Sequence, residues 1–342
     1  GRRRWRCRHR ALDGLMRTRV YVTQPVGADA LARLRDAADV TLNGNPLHIP
    51  TQAELLEAVR THDILFCLLH DRIDADVINA NDQLRMIASM TITPADIDTH
   101  AATARRLPVT VIPAALLNDA TADHAWALMF AVGRRIAEAD RLARAGIIPG
   151  SQSNYLTGAG ISGRTLGLIG LGGVGRAVAQ RARGFPLKVV YHDPRRLSAT
   201  DEQALGLTWL AFEELLATAD YVSLHANLSS QTRHLIGERE LSLMKPTAYL
   251  INTSRGPIVD EQALVRALTG RRIAGAGLDV FEHEPGIDPA LLGLPNTVIT
   301  PHMGSAVEEL RGAMAHSVVD NILAVIDGRQ PPNCWNKEIY AA

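Results

Sequence analysis

Residues 165–175, Thr-Leu-Gly-Leu-Ile-Gly-Leu-Gly-Gly-Val-Gly, constrain this chain more than any other stretch, because an apolar strand runs directly into Gly170, Gly172 and Gly175. The spacing suits a strand–turn–helix that binds a dinucleotide. The first glycine permits the tight turn, the second lets backbone approach a pyrophosphate, and the third lets the following helix pack closely on the strand. A helix from Val174 to about Arg183 would then direct its free N–H groups at the phosphates. Taken alone, three glycines can equally mark a structural turn. The context decides for a nucleotide: a second apolar strand at 187–191 leads to Asp193, 18 residues after Gly175, where an acidic side chain accepts hydrogen bonds from the adenosine ribose. Arg195 and Arg196 follow and suit a 2′-phosphate, but Asp193 would repel one, so NAD is expected in preference to NADP.

The 342 residues are enough for two domains, and a 46% hydrophobic content supplies two cores. Lys+Arg and Asp+Glu balance at 36 each, so no global field points to nucleic acid or to an anionic membrane. The balance hides an Arg-rich leader at residues 1–15, with arginines at 2, 3, 4, 6, 8 and 10 against Asp13. It has neither an apolar h-region nor amphipathic period and reads as an extension ahead of the fold, disordered or added, since Met16 directly precedes the first strand pattern. Cys7, Cys67 and Cys334 lack metal-ligand spacing and read as reduced cytoplasmic thiols. No metal is expected, and no run of 18 apolar residues is present to span a membrane.

Short apolar strands at 20–23, 64–69, 85–89 and 109–112 alternate with helical stretches such as 52–60 and 74–80, the pattern of an open parallel sheet. One long helix is expected over about 121–145, closed by Gly146. After the glycine loop, strands recur at 187–191, 221–224, 247–251, 274–279 and 297–300, separated by helical segments at 211–218, 238–244 and 260–269. A last helix over about 305–326 stops at Gly328 and Pro331-Pro332. The fold class is therefore α/β with doubly wound parallel sheets.

Three strand ends carry polar residues that a plain core would not place there: Asn252-Thr253-Ser254-Arg255-Gly256-Pro257, the stretch 277–285 from Gly277 to Pro285, and Thr300-Pro301-His302-Met303-Gly304. In a parallel sheet such ends face the ligand crevice. Hydride transfer to a ketone needs a cation to polarise and orient the substrate and an acid to protonate the nascent alkoxide. Arg255 and His302 fit those needs, and a carboxylate on the imidazole would raise its basicity and orient it, with Glu284 the candidate. Each has a plainer reading: Arg255 as a cap or partner of Glu261, His302 as a buried structural histidine, and Glu282 or His283 in place of Glu284. His48, His70, His124 and His234 have no partner pattern and read as surface or satisfied core residues, although His70 follows a strand end.

The chain resembles the NAD-dependent D-2-hydroxyacid dehydrogenases, which include D-lactate dehydrogenases, glyoxylate/hydroxypyruvate reductases and phosphoglycerate dehydrogenases. The resemblance rests on 170–175, His225 with 232–236, 244–256, 277–281 and 300–302, and it covers nearly everything from Met16 onward. It implies an enzyme that interconverts a 2-keto acid and a D-2-hydroxy acid, with Arg255, Glu284 and His302 as the catalytic set. It assigns cofactor contacts to Gly170, Gly172, Gly173, Val174, Gly175, Asp193, His225, Thr232, Thr253, Ser254, Asp279, His302 and Gly304, with Asp279 on the nicotinamide amide. It also implies a Rossmann cofactor domain at 118–304 inserted into a flavodoxin-like substrate domain made of 16–117 and 305–342, substrate in the cleft between them, and a homodimer formed through the long helix; the cytoplasmic location is expected from the cysteines.

Two departures stand out. The family grips the substrate carboxylate with a glycine-containing turn that aligns with Ile92-Thr93-Pro94-Ala95, where Thr93 replaces glycine and Pro94 offers no N–H. The grip would rest on Ile92 and Thr93 N–H groups, with Arg255 and His302 on the substrate, and the altered turn is expected to select something other than the commonest small 2-keto acids. The segment His225-Ala226-Asn227 also lacks the usual proline. Two rivals stay open: an NAD(H)-sensing binding protein like the family's transcriptional corepressors, and a phosphite dehydrogenase-like enzyme. Formate dehydrogenases place an amide beside the histidine, which Glu284 argues against.

Overall fold

A computed structural model describes residues 17–94, 96–148 and 154–341. The leader at 1–15, Cys7, Met16 and Ala95 lie outside the described residues. The chain divides into two compact units, one formed by residues up to Pro113 together with Gly312 onward, the other by Ala114–Arg311.

The first unit holds β1 (Arg19–Val22), β2 (Asp39–Leu42), β3 (Ile64–Cys67), β4 (Met86–Ser89) and β5 (Val109–Thr110). They form one sheet in the order β2-β1-β3-β4-β5, parallel at every pairing. β3 and β4 are buried at every position, as inner strands covered on both faces must be. Polar caps start the helices between strands. Thr51 closes a capping box with Glu54 at the head of helix Gln52–Thr61, and the Asp74 and Asp98 carboxylates cap helices Ala75–Asn79 and Thr99–Ala104. Asn336 pins the C-terminal tail to this unit, accepting from Val109 N–H at 2.9 Å and donating to the Leu107 carbonyl at 2.9 Å.

The second unit holds seven strands: β6 (Thr165–Ile169), β7 (Lys188–His192), β8 (Leu207–Trp209), β9 (Tyr221–Leu224), β10 (Tyr249–Asn252), β11 (Gly275–Leu278) and β12 (Thr297–Ile299). Their order is β12-β11-β10-β9-β6-β7-β8, again all parallel. Two buried clusters mark the two faces. One gathers helices Asn118–Gly133 and Gly173–Ala182, the other helices Phe212–Thr218, Glu238–Leu243 and Glu261–Thr269. Each unit is thus a doubly wound parallel sheet, and in the second the winding reverses between β6 and β9, where such sheets open a crevice at their strand C-termini.

The single long helix expected over 121–145 is two helices, Asn118–Gly133 and Ile136–Arg144. The break has a packing cause. Ala159 N–H donates to the Gly133 carbonyl at 2.7 Å, and a Cβ on Gly133 would lie 2.5 Å from the Tyr221 hydroxyl oxygen, so the segment at 157–160 crosses against this turn. Arg135 then turns the chain through a left-handed conformation at φ 54°. The final helix starts at Glu308 rather than 305. β2 and β8 had no apolar run to announce them: β2 is partly exposed throughout and β8 is only 3 residues long.

The glycine loop yields a stability test. A Cβ on Gly175 would lie 2.3 Å from the Gly170 carbonyl oxygen, whereas one on Gly172 meets nothing within 4 Å. Gly175→Ala is expected to cost about 1–3 kcal/mol of stability and to lower Tm by several degrees, and Gly172→Ala is expected to leave Tm unchanged; scanning calorimetry of both variants checks this.

Candidate active site

Gly170 leaves β6 at φ +91°, and a Cβ there would lie 2.7 Å from the Ala226 nitrogen, so the loop passes against the end of β9. Gly172, the N-cap of helix Gly173–Ala182, brings no side-chain acceptor. The first N–H groups of a helix have no intrahelical partner, and the open space over Gly172 leaves room for an anion to reach them. These features fit a pyrophosphate.

Around this loop stand most of the residues expected to hold a cofactor. Asp193 at the end of β7 accepts from Leu171 N–H at 2.9 Å through one oxygen and from Arg195 N–H at 2.9 Å through the other. Arg196 is held away by a two-pronged pair to Glu202 at 2.8 and 3.0 Å and lies 5.4 Å over the Trp209 ring. His225 donates its N–H to the Ile169 carbonyl at 2.7 Å, with Nε2 2.9 Å from Ser223 Oγ. Burial lowers its pKa to about 4, so the ring is neutral at physiological pH. Thr232 Oγ1 donates to the Asn227 carbonyl at 2.6 Å and shapes the turn after β9. Ser254 Oγ donates to the Ala226 carbonyl at 2.5 Å, joining the ends of β9 and β10. Among the described residues Thr253 Oγ1 is buried without a hydrogen-bond partner, an orphaned polar atom of the kind a bound group satisfies.

The charged residues sit on the next three strand ends. Asn252, buried at the end of β10, donates from Nδ2 to the Arg255 carbonyl at 3.0 Å and accepts from Ser254 N–H at 3.0 Å, so its amide moulds the turn that carries Arg255. Burial pushes the Arg255 guanidinium below its ordinary pKa, and the Glu284 carboxylate opposes that shift. Gly256 is obligatory in this packing, since a Cβ there would lie 1.8 Å from the Phe281 carbonyl oxygen. Phe281 N–H in turn donates to Glu284 Oε1 at 2.9 Å, and the other oxygen, Oε2, lies 2.6 Å from His302 Nδ1. Glu282, the competing carboxylate, is occupied elsewhere by His234 Nε2 at 2.6 Å and by Glu261 N–H at 3.2 Å.

His302 is held in a left-handed conformation at φ 51°, which for a side chain of this size costs about 1–2 kcal/mol. Asp279 anchors it. The Asp279 carbonyl accepts from His302 N–H at 2.9 Å, and its carboxylate accepts from Met303 N–H at 2.8 Å, Gly304 N–H at 2.8 Å and Thr300 Oγ1 at 2.6 Å. Burial alone would raise this carboxyl's pKa, but the bonds from His124, Thr300 and Met303 N–H hold it below the usual range. His124 is the partner that sequence reading missed: its Nε2 lies 2.9 Å from Thr300 Oγ1 and 3.1 Å from Asp279 Oδ1. The signal was its place in the stripe shared with Leu128 and Val132, where a polar side chain among buried positions needs a partner.

Ile92 and Thr93 lie in the other unit, in the turn after β4. Thr93 has no positive φ, and Thr91 Oγ1 donates to its carbonyl at 2.5 Å while lying 2.5 Å from Ser89 Oγ. The N–H groups of Ile92 and Thr93 make no hydrogen bond among the described residues. Among the described residues, no group of three or more His, Cys, Asp or Glu could hold a metal ion.

Residues 126–304 match the family model for the NAD-binding domain of D-isomer-specific 2-hydroxyacid dehydrogenases. The chain is 41% identical to a glyoxylate reductase of Thermococcus litoralis over 96% of this chain and 99% of the relative. A crystal structure of a Thermus thermophilus protein superposes with a TM-score of 0.84 at 42% identity, covering 93% of this chain and 100% of the other. An NADPH-dependent glyoxylate/hydroxypyruvate reductase of Sinorhizobium meliloti superposes with a TM-score of 0.77 at 29% identity, over 93% and 97% of the two chains.

The depressed His225 sets a pH test. An unfolded chain takes up a proton at this histidine below about pH 6.5, while the folded site resists until about pH 4, so stability falls as pH drops through that window. Tm should decline from pH 6.5 to 4, and His225→Asn should remove part of that decline; a variant with an unchanged Tm–pH curve contradicts the assignment.

Proposed function

The chain belongs to the D-isomer-specific 2-hydroxyacid dehydrogenase family, and we propose that it is an NAD(H)-dependent reductase that interconverts a 2-keto acid and a D-2-hydroxy acid. The observation that carries this reading is the 2.6 Å contact between His302 Nδ1 and Glu284 Oε2, in a site where Glu284 also acts on Arg255. Bound cofactor supplies or accepts the hydride at substrate C2. In reduction, Arg255 binds the carboxylate and carbonyl oxygen and stabilises the developing alkoxide. His302 donates Nδ1–H to Glu284, which fixes the ring and stabilises its protonated form, and delivers the proton on Nε2 to that oxygen. Oxidation reverses the transfer with neutral His302 as base, so it favours higher pH than reduction.

Gly170, Gly172, Gly173, Val174 and Gly175 cradle the pyrophosphate in this reading, and Asp193 takes the ribose hydroxyls. His225, Thr232, Thr253 and Ser254 line the cofactor, while Asp279, His302 and Gly304 face the nicotinamide end. The Arg196–Glu202 pair supports NAD over NADP, because it engages a guanidinium that would otherwise meet a 2′-phosphate. The N–H groups of Ile92 and Thr93, which make no hydrogen bond among the described residues, are the proposed carboxylate grip. Pro94 removes a third donor, and the Thr93 side chain shifts preference away from glyoxylate, the substrate named for the relatives.

Ile136, Ile147 and Ile148, at 51%, 49% and 84% exposure, give helix Ile136–Arg144 and its continuation an apolar surface that suits a homodimer contact. Among the described residues no helix is long and apolar enough to cross a membrane, and the buried thiols Cys67 and Cys334 suit the reducing cytoplasm.

His302→Ala is expected to retain NADH binding by calorimetry while losing turnover at least about a thousandfold; wild-type turnover in that variant contradicts the mechanism. Thr93→Gly is expected to raise kcat/KM for glyoxylate roughly tenfold, worth about 1.4 kcal/mol, and an unchanged value across a panel of 2-keto acids removes this turn from substrate choice. Light scattering should give a dimer that Ile136→Asp together with Ile148→Asp converts to monomer.

A further inference from the structure

We infer that the second unit carries a binding site for a small organic dianion, a dicarboxylate or a phosphate monoester, at the sheet edge opposite the one that bears Arg255 and His302. A cavity of about 380 Å³ opens there, at the N-terminal ends of β10, β11 and β12 and beside helix Ile136–Arg144. Small-molecule pockets span about 300–1,000 Å³, so the space suits a compact ligand. Its lining residues all belong to this unit.

The charges in the wall select the ligand. Arg135, Arg141 and Arg271 line the cavity with one carboxylate, Glu138. Arg135 is already committed, because its Nε and Nη2 each donate to a Glu138 oxygen at 2.8 Å. The guanidinium groups of Arg141 and Arg271 have no partner among the described residues, which leaves two positive charges and their planar donor forks unanswered. Carboxylate and phosphate oxygens match such forks in pairs. The Tyr249 phenol adds a neutral donor: burial raises its pKa so that it keeps its proton, and its ring stacks on Tyr221 with centroids 5.2 Å apart.

The wall is held in place without a ligand. Arg271 sits at φ 53° in the turn between helix Glu261–Thr269 and β11. Asn296 ties that turn from both sides, donating from Nδ2 to the Leu268 carbonyl at 3.2 Å and to the Ala274 carbonyl at 3.3 Å. On helix Ile136–Arg144, Ala137, Glu138 and Arg141 share the face that lines the cavity, since residues three and four apart are neighbours on a helix surface. Ile136 lies on the other face, so a dimer contact through it leaves the cavity open.

The test titrates succinate and glycerol 2-phosphate into the full chain by calorimetry at constant ionic strength, with acetate as the monoanion for comparison. The wild type is expected to bind at least one dianion about tenfold more tightly than acetate. Arg141→Gln and Arg271→Asn, the second chosen because asparagine tolerates a left-handed backbone, are each expected to weaken that binding about tenfold, the worth of one charge-assisted contact. Arg144→Gln removes a cation of the same helix that pairs with Asp140 at 2.9 Å, and it should change nothing. Preference for succinate assigns a dicarboxylate site; preference for glycerol 2-phosphate assigns a phosphate monoester site. Binding of these probes at Arg255 is common to every protein and cancels from the comparison. Turnover of 2-keto acids should stay at the wild-type level in all three variants, so failure of this inference and failure of the proposed function are read separately. Unchanged affinity in both cavity variants, no dianion binding by the wild type, or an equal loss in Arg144→Gln overturns the inference. Should melting curves show Arg271→Asn misfolded, Arg141→Gln, at an exposed helix position, decides alone with the same outcomes.

Discussion

The second unit depends on one close approach of backbone to backbone, where the chain leaving β6 at Gly170 passes the chain leaving β9 at His225 and Ala226. A side chain at Gly170 would collide with the Ala226 nitrogen at 2.7 Å, and one at Gly175 with the Gly170 carbonyl oxygen at 2.3 Å. Only with both positions bare can the helix Gly173–Ala182 start directly above the sheet, at the point where the strand order reverses. The polar and charged residues at the strand ends of this unit are then placed by strand order. The ends of β7, β9, β10, β11 and β12 deliver Asp193, His225, Arg255, Asp279 and His302 to the same edge of the sheet.

Strand ends alone would leave those side chains on loose loops. The structure ties the loops to each other through buried polar groups that have few alternatives. Asn252 moulds the Arg255 turn, Gly256 admits the Phe281 carbonyl against it, and Phe281 N–H orients the carboxylate that holds His302. Asp279 collects the donors of the 300–304 segment and compensates the left-handed backbone at His302. Breaking one of these links would displace the charged set as a group, because each link also anchors the next.

Much of this was legible from residue type and spacing. The three glycines, Asp193 and the polar strand ends announce a dinucleotide crevice because each answers a need no core residue shares. The family likeness carried from those segments fits the two parallel sheets. What stayed hidden was set by tertiary contact. The helix break at Arg134–Arg135 follows from a carbonyl taken by Ala159, more than twenty residues away in sequence, and helix periodicity continues straight through it. β2 is an edge strand with partly exposed positions throughout, so alternation never showed. The sequence favoured Glu284 over Glu282 but did not show their separate contacts, Glu284 with His302 and Glu282 with His234, which depend on tertiary structure. His124 was overlooked because its partner lies on another strand end.

The central claim is that Arg255 and the Glu284–His302 pair direct a hydride from nicotinamide to C2 of a 2-keto acid to give the D product. Turnover of a chiral-product 2-keto acid with 4-deuterated NADH, followed by chiral chromatography and mass spectrometry of the product, tests it most directly. The expected result is a D-2-hydroxy acid carrying one deuterium at C2. An L product, a product without deuterium from either C4 face of the cofactor, or no reduction of any 2-keto acid contradicts it.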